Sequence, residues 1–113
     1  MNSSNIRVLI LDLGSASRNE LVRQLEDHPH IKVVGQAAHR RQAIRLLQQL
    51  MPDLLILTLD ISGADNVEIV ETIMATSAIP ILVMRFCPEN QWDDDYISRG
   101  ALAVLHHSSD SPL

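Results

Sequence analysis

The sequence predicts an α/β domain built on a doubly wound parallel sheet of five strands. Apolar, β-compatible runs alternate with amphipathic helical stretches along the chain, and the connections are too short for anything but adjacent packing. Right-handed crossovers then make a parallel sheet with helices on its faces the most economical arrangement. The run Leu54 to Leu57, opened by Pro52-Asp53 and followed by a Ser62-Gly63 turn signal, is apolar at every position, as a central strand covered on both faces requires. The carboxyl end of such a strand, here Thr58, Leu59 and Asp60, is where an open α/β sheet keeps its chemistry.

Each element has its own local reason. Ile6 to Leu13 is a strand-like run broken only by Arg7 and Asp12, and it stops at Gly14-Ser15. Ser15 or Ser17 can cap the helix that follows, with Glu20 in its first turn and Leu21, Val22 and Leu25 as its apolar stripe. That helix ends before His28-Pro29, because proline disfavours helix in the residue ahead of it. Ile31 to Ala37 reads as a second strand. From Arg40 to Met51, Ala43, Ile44, Leu47, Leu50 and Met51 recur at helical spacing until Pro52 closes the segment. Val67, Val70, Ile73 and Met74 mark a third helix that Ser77 to Pro80 ends, and Ile81 to Met84 is a fourth strand. Pro88 to Arg99 reads as a fourth helix, with Trp92 and Tyr96 sharing a face, Asp93 to Asp95 a solvated edge and Gly100 the stop. Ala101 to Leu105 is a fifth strand and Ser108 to Leu113 a frayed end. Five strands with four helices leave one flank of the sheet without cover.

Composition bounds the function. At 113 residues the chain is one domain, 1–113, with 46% hydrophobic and 20% charged residues, a soluble globular balance. A net charge of −5 with nine scattered Lys and Arg argues against a surface built to neutralise phosphates, so no direct nucleic-acid partner is expected. The single cysteine, Cys87, cannot form an internal disulfide, which fits a reducing compartment. No apolar run reaches the length of a membrane span, and Met1 to Asn5 is too polar to open a signal peptide, so the expected location is cytoplasmic.

Taken together, Ile6-Arg7-Val8-Leu9-Ile10-Leu11-Asp12, Ile31-Lys32-Val33-Val34-Gly35-Gln36-Ala37, Pro52-Asp53-Leu54-Leu55-Ile56-Leu57, Ile79-Pro80-Ile81-Leu82-Val83-Met84 and Arg99-Gly100-Ala101-Leu102-Ala103-Val104-Leu105 resemble a receiver domain of a two-component response regulator. The nearest likeness is to the receiver portion of chemotaxis methylesterases. The resemblance implies a flavodoxin-like sheet of strand order 2-1-3-4-5, with a fifth helix that is absent or truncated in this sequence. It also implies a site with a carboxylate nucleophile, an acidic pair holding a divalent cation, a hydroxyl after the fourth strand and a lysine after the fifth. In that chemistry a hard cation neutralises charge on the phosphoryl group while the lysine and hydroxyl hold the product.

Matched position by position, this sequence departs from the family at each part. The acidic pair falls on Asp12 and Leu13, the nucleophile on Thr58, the switch hydroxyl on Arg85 and the lysine on His107. One carboxylate holds magnesium poorly, and Thr58 carries an alcohol with no base placed by sequence to activate it. The expectation is therefore a receiver that has lost ordinary phosphorylation, is not an enzyme, needs no cofactor and works by protein–protein contact. The rival is a phosphorylatable receiver that uses Asp60, two residues past Thr58, and would need magnesium.

Other residues carry sharper and blander readings. Arg85 either enters the vestigial pocket and pairs with Asp12 or faces solvent on a loop. Trp92 and Tyr96 are interface anchors or pack on the fifth strand. His28, His30, His39, His106 and His107 match no metal spacing, so no metal is expected. A small nucleotide-binding module is the weakest reading, since the first turn has only Gly14 where a phosphate cradle needs several glycines. Either the chain is a piece of a longer regulator cut before the fifth helix, or the open flank is covered by the expected partner: another protein, a second copy or a downstream output domain.

Overall fold

The computed structural model describes residues 5–13, 18–59, 64–85 and 93–106. Asp60, Trp92 and His107 lie outside them. The order is β1 (Ile6–Leu13), α1 (Arg18–Glu26), β2 (Ile31–Ala37), α2 (Arg40–Leu50), β3 (Leu54–Leu59), α3 (Ala64–Thr76), β4 (Ile81–Arg85), α4 (Asp93–Ser98) and β5 (Ala103–His106). The strands form one parallel sheet in the order β2-β1-β3-β4-β5, as the resemblance implies.

Strand alternation divides the core in two. Leu9, Leu11, Leu55, Leu57, Ile81 and Val83 point to the face covered by α2, α3 and α4. Val8, Ile10, Ile56 and Met84 point to the other, where α1 contributes Leu21 with Val22 and Leu25. Among the described residues α1 packs toward β2, and on that face Leu82 of β4 is half-buried and Leu105 of β5 is exposed.

Helix ends are fixed locally. His39 caps α2, its Nδ1 accepting from the Gln42 N–H at 3.3 Å, and Gln42 Oε1 accepts in return from the Ala38 N–H at 3.0 Å. Met51, with φ 48, closes α2 in the left-handed conformation ahead of Pro52. The turn into β3 is pinned to β1: the Arg7 N–H donates to Asp53 Oδ2 at 2.9 Å, and the Asp53 N–H donates to the Arg7 carbonyl at 2.8 Å. At the end of α4 the Ala101 N–H donates to the Tyr96 carbonyl and the Gly100 N–H to the Ile97 carbonyl. That paired closure needs a left-handed residue, and Gly100 has φ 124.

Three boundaries differ from the sequence reading. β3 runs on through Thr58 and Leu59, because both are held in the ladder by β1 and β4. Arg85 belongs to β4 and not to the loop after it, paired with Leu59 and His106. The described part of α4 starts at Asp93, and β5 begins at Ala103 instead of Ala101, which is used in closing α4.

Candidate functional site

The parallel register places Asp12 of β1 beside Thr58 of β3, and Thr58 beside Met84 of β4. Neighbouring residues in register share a face, so these three side chains lie in a row near the carboxyl ends of the central strands. Thr58 is fully buried, and its Oγ1 donates to Asp12 Oδ1 at 2.9 Å. Asp12 is 8% exposed. The hydroxyl proton of Thr58 is thus directed at the Asp12 carboxylate, and a hydroxyl has only one to give.

Leu13 and Arg85 belong to the opposite face. Leu13 is one residue past Asp12, and alternation turns it to pack, half-buried, against the α2–α3–α4 core. Arg85, one residue past Met84, follows the same rule. Its side chain is wholly buried, which corrects the reading of a solvent-facing arginine. Its Nη1 donates to Asp93 Oδ1 at 2.8 Å, an ion pair in which the Asp93 side chain is 25% exposed. The pair with Asp12, the other of the two readings, is not what forms either: Arg85 pairs with Asp93, because it leaves the sheet on the side where α4 lies. Asp93 is correspondingly not the solvated edge that its run suggested, whereas Asp94 and Asp95 are exposed. The clue was available in the sequence: an acid in the first turn of the helix after a strand that ends in a cation.

Tyr96 is also corrected. It is wholly buried in the main core with Val83, Ile73 and Ala101, so its ring packs inside this chain instead of standing on its surface as an anchor. Asp12 and Thr58 are therefore brought together, Arg85 and Tyr96 are gathered around α4, and Asp60, Trp92 and His107 are not placed. Among the described residues there is no cluster of three or more His, Cys, Asp or Glu side chains suited to a metal.

No protein-family model matches the sequence. Among curated proteins it is 35% identical over 78 residues to a protein-glutamate methylesterase/protein-glutamine glutaminase of Alkalilimnicola ehrlichii, covering 69% of this chain and 20% of that protein. It is 34% identical over 100 residues to a protein of the same description from Paramagnetospirillum magneticum, covering 88% of this chain and 28% of the relative. Of solved structures, a LuxR-family two-component response regulator from Aurantimonas sp. superposes with a TM-score of 0.80 at 26% identity, covering 95% of this chain and 77% of that one. The chain is a response-regulator receiver domain. The response regulator domain of Thermotoga maritima CheB has the same fold, with a TM-score of 0.77 at 23% identity over 95% of this chain and 83% of that one. This receiver spans less than a third of the length of the two curated relatives it matches. It is a module of a two-component signalling protein, and no described helix is long and apolar enough to cross a membrane.

Proposed function

We propose that this receiver works without conventional aspartyl phosphorylation, as a regulatory module that signals by protein–protein contact. The observation that supports it most is the buried hydrogen bond from Thr58 Oγ1 to Asp12 Oδ1. Thr58 occupies the place where the family's pattern puts the nucleophile, yet it is an alcohol, is closed to solvent and donates its proton to the neighbouring acid. Asp12 is the one carboxylate at the described ends of β1, β3 and β4. One carboxylate already engaged by a hydroxyl, in a row with a thioether and with Leu13 turned to the opposite face, does not fit a magnesium ion that prefers near-octahedral oxygen donors. Arg85 fills the switch position with a buried cation tied to α4, so the element that a mobile hydroxyl would release is held by an ion pair.

The test is direct. The protein is incubated with a small-molecule phosphodonor and magnesium and weighed intact. The expected result is an unchanged mass. A phosphate adduct that disappears in Asp60→Asn would overturn the reading and establish Asp60 as the acceptor.

A further inference from the structure

Scattered along the sequence, the charges are divided unevenly over the fold. The span from His28 to Pro52, which forms β2 and α2, holds four of the nine Lys and Arg, namely Lys32, Arg40, Arg41 and Arg45, and none of the 14 Asp and Glu. The three arginines of α2 are all exposed. Two of them, Arg40 and Arg41, stand in its first turn, which contains no acid and where the positive end of the helix dipole opposes a cation. Among the described residues no ion pair or side-chain hydrogen bond neutralises any of the three. An arrangement that is unfavourable within the domain and is not compensated there points to a partner outside it.

The complementary charge lies on the same molecule. α4 opens with Asp93, Asp94 and Asp95. Asp93 is engaged by Arg85, whereas Asp94 and Asp95 are exposed. Ile97, 48% exposed, follows Asp94 at the i+3 spacing of one helical side. α2 and α4 pack on the same face of the sheet, α2 against β1 and β2 and α4 against β5, with α3 between them. All five strands are parallel, so each helix runs back against them, and the first turns of α2 and α4 both lie at the carboxyl end of the sheet. A second copy, given a half-turn about an axis over α3 and parallel to the strands, keeps that level. It brings the first turns of α2 of each copy opposite the first turn of α4 of the other. The contact then occurs twice and closes, the commonest symmetry of oligomers. Glu71 of the intervening α3 is already paired with Arg99 at 3.2 Å.

We propose that the α2–α3–α4 face binds a second copy of this chain. Arg40, Arg41 and Arg45 of each copy face Asp94 and Asp95 of the other, and the arginine stems cover Ile97. The inference rests on the reading that the domain signals by protein contact and gives that reading a surface and a partner.

Sedimentation equilibrium of the whole chain at low salt is expected to show a mass that rises with concentration to that of a dimer and no further. Salt at about 1 M, which shortens the Debye length to about 3 Å, returns the chain to monomer. The double variant Arg41→Glu, Arg45→Glu weakens the dimer about tenfold or more. It places an acid in the first turn of α2, which the dipole favours, so unfolding of that helix does not account for the loss. Asp94→Lys with Asp95→Lys weakens the dimer likewise. An equimolar mixture of the two reversed variants restores it, because each new repulsion becomes an attraction across the axis. Should circular dichroism show that the lysine pair unfolds α4, Asp94→Asn with Asp95→Asn decides, and unchanged dimerisation in that variant overturns the proposal. A chain that stays monomeric at low salt, a dimer indifferent to both reversals, or a mixture that does not recover also overturns it. The protein used has never met a phosphodonor, so a phosphate adduct would sink the proposed function and leave this result standing.

Discussion

Thr58 and Asp12 illustrate how little space a buried polar pair leaves for other chemistry. The threonine hydroxyl is sealed between β1 and β4, and its donation to Asp12 satisfies an acceptor that burial would otherwise make costly. Thr58→Val keeps the shape and removes the donor. It is expected to destabilise the domain by about 1.5–3 kcal/mol, the worth of a hydrogen bond to a charged group, measured by urea unfolding. Thr58→Asp restores the acid that the family's pattern calls for, but it sets two carboxylates within hydrogen-bonding reach of each other in a closed site. It is expected to lower stability and to take up no phosphate from a small phosphodonor, because Leu13 and Arg85 remain. Intact mass and the unfolding midpoint check both parts. The meeting of Thr58 with Asp12 was legible from the order of the strands. The burial of Arg85 was not, because a long cation at a strand end can turn to solvent or inward, and only the position of α4 decides which.

At the scale of elements, α4 is the short one, with six residues, and it is held at both ends. Arg85 ties its first turn to β4, and Gly100 closes its last turn. A double-mutant cycle on Arg85→Met and Asp93→Ala is expected to give a coupling of about 1–3 kcal/mol, since the pair is largely out of water and poorly screened by salt. A coupling near zero would mean that the ion pair does not hold α4. Gly100→Ala combines a φ that side chains rarely adopt with a Cβ that would stand 2.9 Å from Met74 Cγ. It is expected to cost at least about 1 kcal/mol and to lower the hydrogen-exchange protection of the Ala101 amide. The strands were legible because β1, β3 and β4 are near-continuous apolar runs, and α2 because its stripe is regular and His39 and Pro52 bracket it. The start of β5 was less so. Ala101 is apolar enough for a strand, but its N–H is engaged by the Tyr96 carbonyl.

For the whole molecule, the sheet order followed from right-handed crossovers and the resemblance, and the receiver fold is the result. What the sequence hinted at only by counting helices is how the described helices divide over the sheet: α2, α3 and α4 pack on one face and α1 on the other. Receiver architecture is thus kept while the site at its strand ends carries a threonine–aspartate bond and a buried arginine. The central claim is that this site no longer handles phosphoryl groups. It is tested most directly by the backbone amide spectrum of the chain recorded with and without magnesium and a phosphoryl analogue. The account predicts no shift at Asp12, Leu13, Thr58 or Arg85. Saturable shifts centred on Asp12 and Thr58 would contradict it.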